Sequence, residues 1–197
     1  IDVARDLGRR ALGYDLAPAR PDVFRCDARK LPLEDGVADF VFVDPPYGDH
    51  IRYSGLPACV GELKAGSREY RDAMARVISE IHRVLRPGRY MALYVCDSFV
   101  KGEPLRPLGP DLFALLCERL TPADVVAVVR RNATLGRRHY HTAAIEGGYM
   151  LRGFNYLFAM YKPAPGDRGK LPDRRHPDEV AADVAAAGGS RRAGPLP

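Results

Sequence analysis

The apolar run Phe40-Val41-Phe42-Val43 passes directly into Asp44-Pro45-Pro46-Tyr47, and this junction constrains the fold more than any other stretch. A continuous β-branched and aromatic run closed by a proline pair predicts a buried parallel strand that stops abruptly. The prolines fix φ and carry no N–H groups, so ladder pairing ends there and the nearby carbonyls are released. In an open α/β sheet, ligands bind at the carboxyl ends of the strands. A carboxylate and a carbonyl beside an aromatic ring can hold an amino group next to a flat heterocycle.

Around this junction the chain alternates strands and helices. Ile1, Val3, Ala4, Leu7 and Ala11 have helical spacing, with Gly8 as a stop. Residues 10–16 and 22–27 read as short strands ending in acids, and 37–43 as a third strand. Residues 48–66 are irregular and glycine-containing, too long for a simple connection, and are expected to form a functional loop or lid. A long helix begins at Ser67, carries Tyr70, Met74, Val77, Ile78, Ile81, Val84 and Leu85, and stops at Pro87-Gly88. A strand over 90–96, a helix over 112–120, a strand over 123–129, a long basic loop over 130–152 and a last strand over 154–161 follow.

This alternation predicts an α/β fold with a mostly parallel sheet covered on both faces. No long helix separates the last two strands, so the final one is expected to run antiparallel, beside the strand of Tyr90. After Pro163 the composition turns to Pro, Gly, Ala, Asp and Arg without an aromatic residue, the pattern of a disordered tail over 164–197.

At 197 residues and 46% hydrophobic content, one globular domain over 1–163 plus that tail is expected. No run reaches bilayer-spanning length and no signal sequence opens the chain, which points to a cytoplasmic protein. Cys26, Cys59, Cys96 and Cys117 are scattered, as reduced structural thiols would be. His139 and His141 lack an acidic partner at ligand spacing, so no metal is expected. The net charge of +5 permits a polyanionic partner.

Asp15, Asp27 and Asp44 each close a short hydrophobic strand. An acid after the second strand of a Rossmann-like unit takes ribose hydroxyls, and one after the next strand, flanked by Cys26 and Ala28, suits an adenine amino group. Taken singly, each Asp also fits a plain turn cap.

Several stretches now carry a family resemblance: Gly13-Tyr14-Asp15, Cys26-Asp27-Ala28, Asp39 through Gly48, the joint Arg83-Val84-Leu85-Arg86-Pro87-Gly88-Arg89-Tyr90, and Arg152 through Pro163. Together they resemble the S-adenosylmethionine-dependent amino-methyltransferases that act on exocyclic amines of nucleic-acid bases, of the DNA adenine-N6 and cytosine-N4 type. The resemblance implies a class I methyltransferase fold, Rossmann-like, with an antiparallel last strand. It also implies a first strand and glycine-rich cofactor loop ahead of Ile1, so that the first strand is missing here. No G-x-G-x-x-G occurs in the 197 residues.

The resemblance assigns catalysis to Asp44, Pro45, Pro46 and Tyr47. S-adenosylmethionine falls to Asp15, Leu16, Cys26, Asp27, Ala28 and Asp44. DNA contacts fall to His50, Arg52 and Tyr53, and to Arg137, Arg138 and Tyr140 in the densest basic stretch. No metal or membrane is implied. Asp44 and the Pro45 carbonyl would take the two amine hydrogens, and Tyr47 would stack on the flipped base. Two other readings stay open: an RNA guanine-N2 methyltransferase, which Asp-Pro-Pro-Tyr-Gly after a Leu-Pro-Leu turn also resembles, and an inactive nucleic-acid-binding remnant.

Overall fold

The computed structural model describes residues 1–47, 53–98, 103–130, 138–150, 153–167 and 171–172. Ile1–Ala28 belongs to one compact unit and Arg29–Leu171 forms the other.

In the first unit, helix α1 (Asp2–Asp6) leads to strands β1 (Gly13–Asp15) and β2 (Val23–Arg25), which pair in parallel. Gly8, at φ +69, takes the chain out of α1. Both strands are shorter than the sequence suggests. Arg20 donates to Asp2 and Asp22, and Arg5 reaches Asp22 at 2.6 Å, so ion pairs rather than ladder bonds organise the crossover. These guanidinium groups hold the Asp22 carboxyl down at about 2.

The second unit is a four-stranded sheet in the order β3-β4-β6-β5, built from β3 (Ala38–Val43), β4 (Leu85–Val95), β5 (Thr121–Val129) and β6 (Phe154–Lys162). β3 runs parallel to β4, while β6 is antiparallel to both β4 and β5. The last strand therefore lies beside that of Tyr90, paired Tyr90 to Tyr161, as the sequence implies.

Helix α2 (Arg68–Val84) is the longest, and its buried face, Tyr70, Met74, Val77, Ile78 and Ile81, follows the 3.6-residue repeat. It ends at Val84, ahead of Pro87-Gly88, and β4 starts at once at Leu85. Lys162 reaches across from β6 to donate to the carbonyls of His82 and Leu85, satisfying the helix end. Helix α3 (Leu108–Cys117) adds Leu112, Leu115 and Leu116 to the core. Both helices pack with one face of the sheet: Met91, Leu93 and Val95 of β4, Phe158 and Met160 of β6, and the partly buried Val41 and Val43 of β3.

The opposite face of β3 is a correction to the sequence reading. Phe40 and Phe42, alternating with those valines, are each 58% exposed. The run is buried on one side only, because α2 and α3 both lie with the other face. A second correction falls within 130–152, where helix α4 (Arg138–Gly147) replaces part of the expected loop.

Upstream of β3, Arg83 of α2 clamps the turn that feeds the strand. It donates to the carbonyls of Leu31 and Leu33 and pairs with Asp35 and Glu80, while Glu80 accepts from the Leu31 N–H. Downstream of β6 the chain stays tied as far as Asp167, whose carboxylate accepts from the Tyr161 hydroxyl and the Ala164 N–H. The rest of the expected tail lies outside the described residues, apart from 171 and 172. No helix among the described residues is long and apolar enough to cross a membrane.

Candidate amine-holding site

β3 delivers Asp44-Pro45-Pro46-Tyr47 at its carboxyl end, where the pairing with β4 stops at Val43 and Leu93. Asp44 is exposed, Pro45 is buried, and Pro46 and Tyr47 are half-buried. The Asp44 carboxylate has no hydrogen-bond or ion-pair partner among the described residues, and desolvation at the strand end lifts its carboxyl above the ordinary aspartate range. The Pro45 carbonyl likewise accepts nothing among the described residues. Two adjacent acceptors are thus open on one rigid segment.

The Pro46 carbonyl is different. The Tyr70 hydroxyl, from the first turn of α2, donates to it at 2.8 Å. One residue on, the Tyr47 N–H donates to the Tyr53 hydroxyl at 3.2 Å. Gly61 makes room for this arrangement, since a Cβ there would sit 2.5 Å from the Tyr53 ring and 3.0 Å from Pro46.

A second ring of groups follows from β4, β5 and β6. Burial pushes the Tyr47 phenol up to about 12, with the Asp44 charge adding to the shift and Arg130 opposing it. Burial also raises the Cys96 thiol, which Arg130 again opposes through charge and a hydrogen bond. Arg130, just past β5, donates from Nε to Asn155 of β6 at 2.5 Å. Asp97 acts as a tie, accepting from the Gly109 N–H of α3 at 3.0 Å and from the Tyr156 hydroxyl at 3.2 Å.

Of the residues assigned from sequence, Asp44, Pro45, Pro46, Tyr47 and Tyr53 come together in this unit. His50, Arg52 and Arg137 lie outside the described residues, as does the side chain of Arg138; Tyr140 is half-buried in α4. Tyr70 and Asn155 escape the site assignment, whereas Arg130 falls in the basic stretch that the sequence reads for phosphate contacts, and it is found donating to Asn155. Tyr70 has the spacing of a core aromatic, and only Asn155, a polar residue within an aromatic strand, offers a signal.

In the first unit, Asp15 and Cys26-Asp27 meet at the carboxyl ends of paired strands. The Cys26 N–H donates to the Asp15 carbonyl at 2.9 Å, and the Cys26 thiol to the Asp27 carbonyl at 3.3 Å. Asp15 also uses Oδ1 to accept from the Ala17 N–H at 2.7 Å, the turn-capping role open to any such Asp. Leu16 is half-buried beside it and Ala28 is exposed.

No family model matches the chain, and no curated protein matches it. Among solved structures, it is similar to a candidate DNA modification methylase from Thermus thermophilus. Three structures of that protein, one complexed with S-adenosyl-L-methionine, superpose with a TM-score of 0.51 at 18–19% identity. They cover 79–80% of this chain, which spans only 60–62% of the methylase. The strand order and this likeness identify a Rossmann-like α/β fold with a mixed parallel and antiparallel sheet, in keeping with the class I S-adenosylmethionine-dependent methyltransferase fold.

Proposed function

We propose that this chain carries the amine-holding part of an S-adenosylmethionine-dependent methyltransferase acting on an exocyclic amino group of a DNA base, adenine N6 ahead of cytosine N4. The observation that carries this reading is the pair of open acceptors, the Asp44 carboxylate and the Pro45 carbonyl, beside the Tyr47 ring. An exocyclic amine on a heterocycle is a poor nucleophile because its lone pair is conjugated into the ring. Two acceptors that take its hydrogens favour a pyramidal nitrogen and stabilise the positive charge that develops as the N–C bond forms. Tyr47 supplies a face for a base extruded from its stack, a contact worth about 1–3 kcal/mol.

When bound, S-adenosylmethionine supplies an electrophilic methyl group on a sulfonium. The residues of the β1–β2 unit fit its nucleoside end: Asp15 keeps Oδ2 without a hydrogen bond among the described residues, and Asp27 lies on the neighbouring strand end. Asp15 and Leu16 would take the ribose, and Cys26, Asp27 and Ala28 the adenine. The proton lost from the amine leaves past the Asp44 carboxylate to water.

The test is transfer of labelled methyl from S-adenosylmethionine onto unmethylated DNA and, in parallel, onto tRNA, followed by nuclease digestion to identify the base. Label on adenine N6 or cytosine N4 is the expected result. Label on guanine N2 of tRNA redirects the substrate to RNA. No transfer, together with no calorimetric heat for the cofactor, makes the chain a non-catalytic relative.

A further inference from the structure

We propose that Tyr70 is a positioning residue for this site, holding the Asp-Pro-Pro-Tyr segment so that the Pro45 carbonyl and Asp44 carboxylate are presented together; the proposal rests on the amino-methyltransferase reading. The geometry is that of a single peptide plane gripped at both edges. The C=O edge of the Pro46–Tyr47 peptide receives the Tyr70 hydroxyl at 2.8 Å, and its N–H edge donates to the Tyr53 hydroxyl at 3.2 Å. The Pro46 ring fixes φ. With the following plane pinned, ψ of Pro46 is fixed as well, and so is the plane that carries the Pro45 carbonyl.

Tyr70 suits this task. It is 2% exposed, and its own N–H is capped by the Ser67 hydroxyl at 3.2 Å, which anchors the phenol to the start of a 17-residue helix. Burial raises its ionisation above the ordinary tyrosine range, so the hydroxyl stays a donor. Filling the core here needs only a ring. The hydroxyl contributes the one contact that a phenylalanine would not make, and that contact goes to the segment bearing both open acceptors. Tying off the Pro46 carbonyl also removes a competing acceptor, leaving the amine one carbonyl and one carboxylate.

Tyr70→Phe and Tyr53→Phe in the full chain test this. The first readout is amide hydrogen exchange at Tyr47, followed by NMR. Faster exchange in Tyr70→Phe, with α2 protection kept, is expected; unchanged exchange overturns the proposal. The second is steady-state methyl transfer. A fall in kcat of about 10- to 100-fold is expected, with KM for the nucleic acid and Kd for the cofactor within about two-fold of wild type. A purely structural role would lower thermal stability and leave kcat per folded molecule unchanged, and that result also overturns it. If the wild-type chain transfers no methyl group, the functional reading fails, while Tyr47 exchange still decides whether Tyr70 braces the segment.

Discussion

Arg130 donates from Nε to the side-chain oxygen of Asn155 at 2.5 Å, joining the end of β5 to the start of β6. Asn155 is 4% exposed, so its oxygen is a fixed point, and the guanidinium is held where its charge acts on Tyr47 and Cys96. This pair sets the electrostatics of the β4 and β6 side of the site. Its removal has a sign that can be read on a thiol. Burial raises the Cys96 thiol and Arg130 opposes the shift, so Arg130→Gln moves that thiol further up. Alkylation of Cys96 at pH 8.5 is expected to slow in Arg130→Gln, with Cys117 as an internal reference. Asn155→Leu is expected to slow it too, because the guanidinium loses its anchor, and to cost about 1–3 kcal/mol of stability.

Asp44 sets a trade between stability and chemistry. Desolvation raises its folded-state carboxyl above the unfolded value. The sign follows directly: no penalty exists below the unfolded pKa, and the full penalty is present above the raised folded one. Asp44→Asn should therefore melt above wild type at pH 7, with the difference closing as pH falls towards 4. Methyl transfer should fall by about 100- to 1000-fold, because the amide has no charge to stabilise the developing cation. Wild-type turnover should decline on the acid side at a pH above the ordinary aspartate range. A variant that melts lower and still turns over would refute the assignment.

The Asp44 junction can be read from the chain because an apolar run ending in two prolines has few alternatives, and α2 because its apolar spacing is regular. The exposure of Phe40 and Phe42 cannot be read, since a continuous apolar run looks the same whether one face or two are covered. Helix α4 is hidden by its composition, in which Arg138, His139, Tyr140 and His141 show no apolar stripe. The Tyr70–Pro46 and Arg130–Asn155 contacts span 24 and 25 residues, beyond any local pattern. What makes those residues matter is topology.

Gly61 is constrained by space rather than by backbone angle. A Cβ would stand 2.5 Å from the Tyr53 ring, near its root rather than its flexible tip, so the whole ring must shift. Gly61→Ala is expected to break the Tyr53 contact with the Tyr47 N–H, speed exchange at that amide, and lower methyl transfer by about 10-fold. The 3-10 turn that contains it, Val60–Glu62, has no buried residues, so the melting temperature should move little. A large loss of stability would instead make Gly61 part of the folding core.

The turn that launches β3 should be acid-sensitive. Glu80, with its side chain 13% exposed, accepts from Arg83 and from the Leu31 N–H, and the Arg83 hydrogen bonds hold its carboxyl below the usual glutamate range. A carboxyl depressed by folding contributes stability above its unfolded pKa, near 4.3, and that contribution is lost as pH falls through the lower folded value. Glu80→Gln keeps an acceptor for Leu31 and removes the charge that Arg83 answers. It is expected to cost about 1 kcal/mol or less at pH 7, since solvent reaches the 31%-exposed Arg83 side chain and screens the pair, and progressively less as pH falls through the depressed folded value. Thermal melts of wild type and variant from neutral pH into acid check this, and a gap that did not narrow as pH falls would mean that the charge is not its source. Because the clamp feeds β3 directly, exchange at the Phe40 and Phe42 amides should rise in Glu80→Gln at neutral pH and return to the wild-type level in acid.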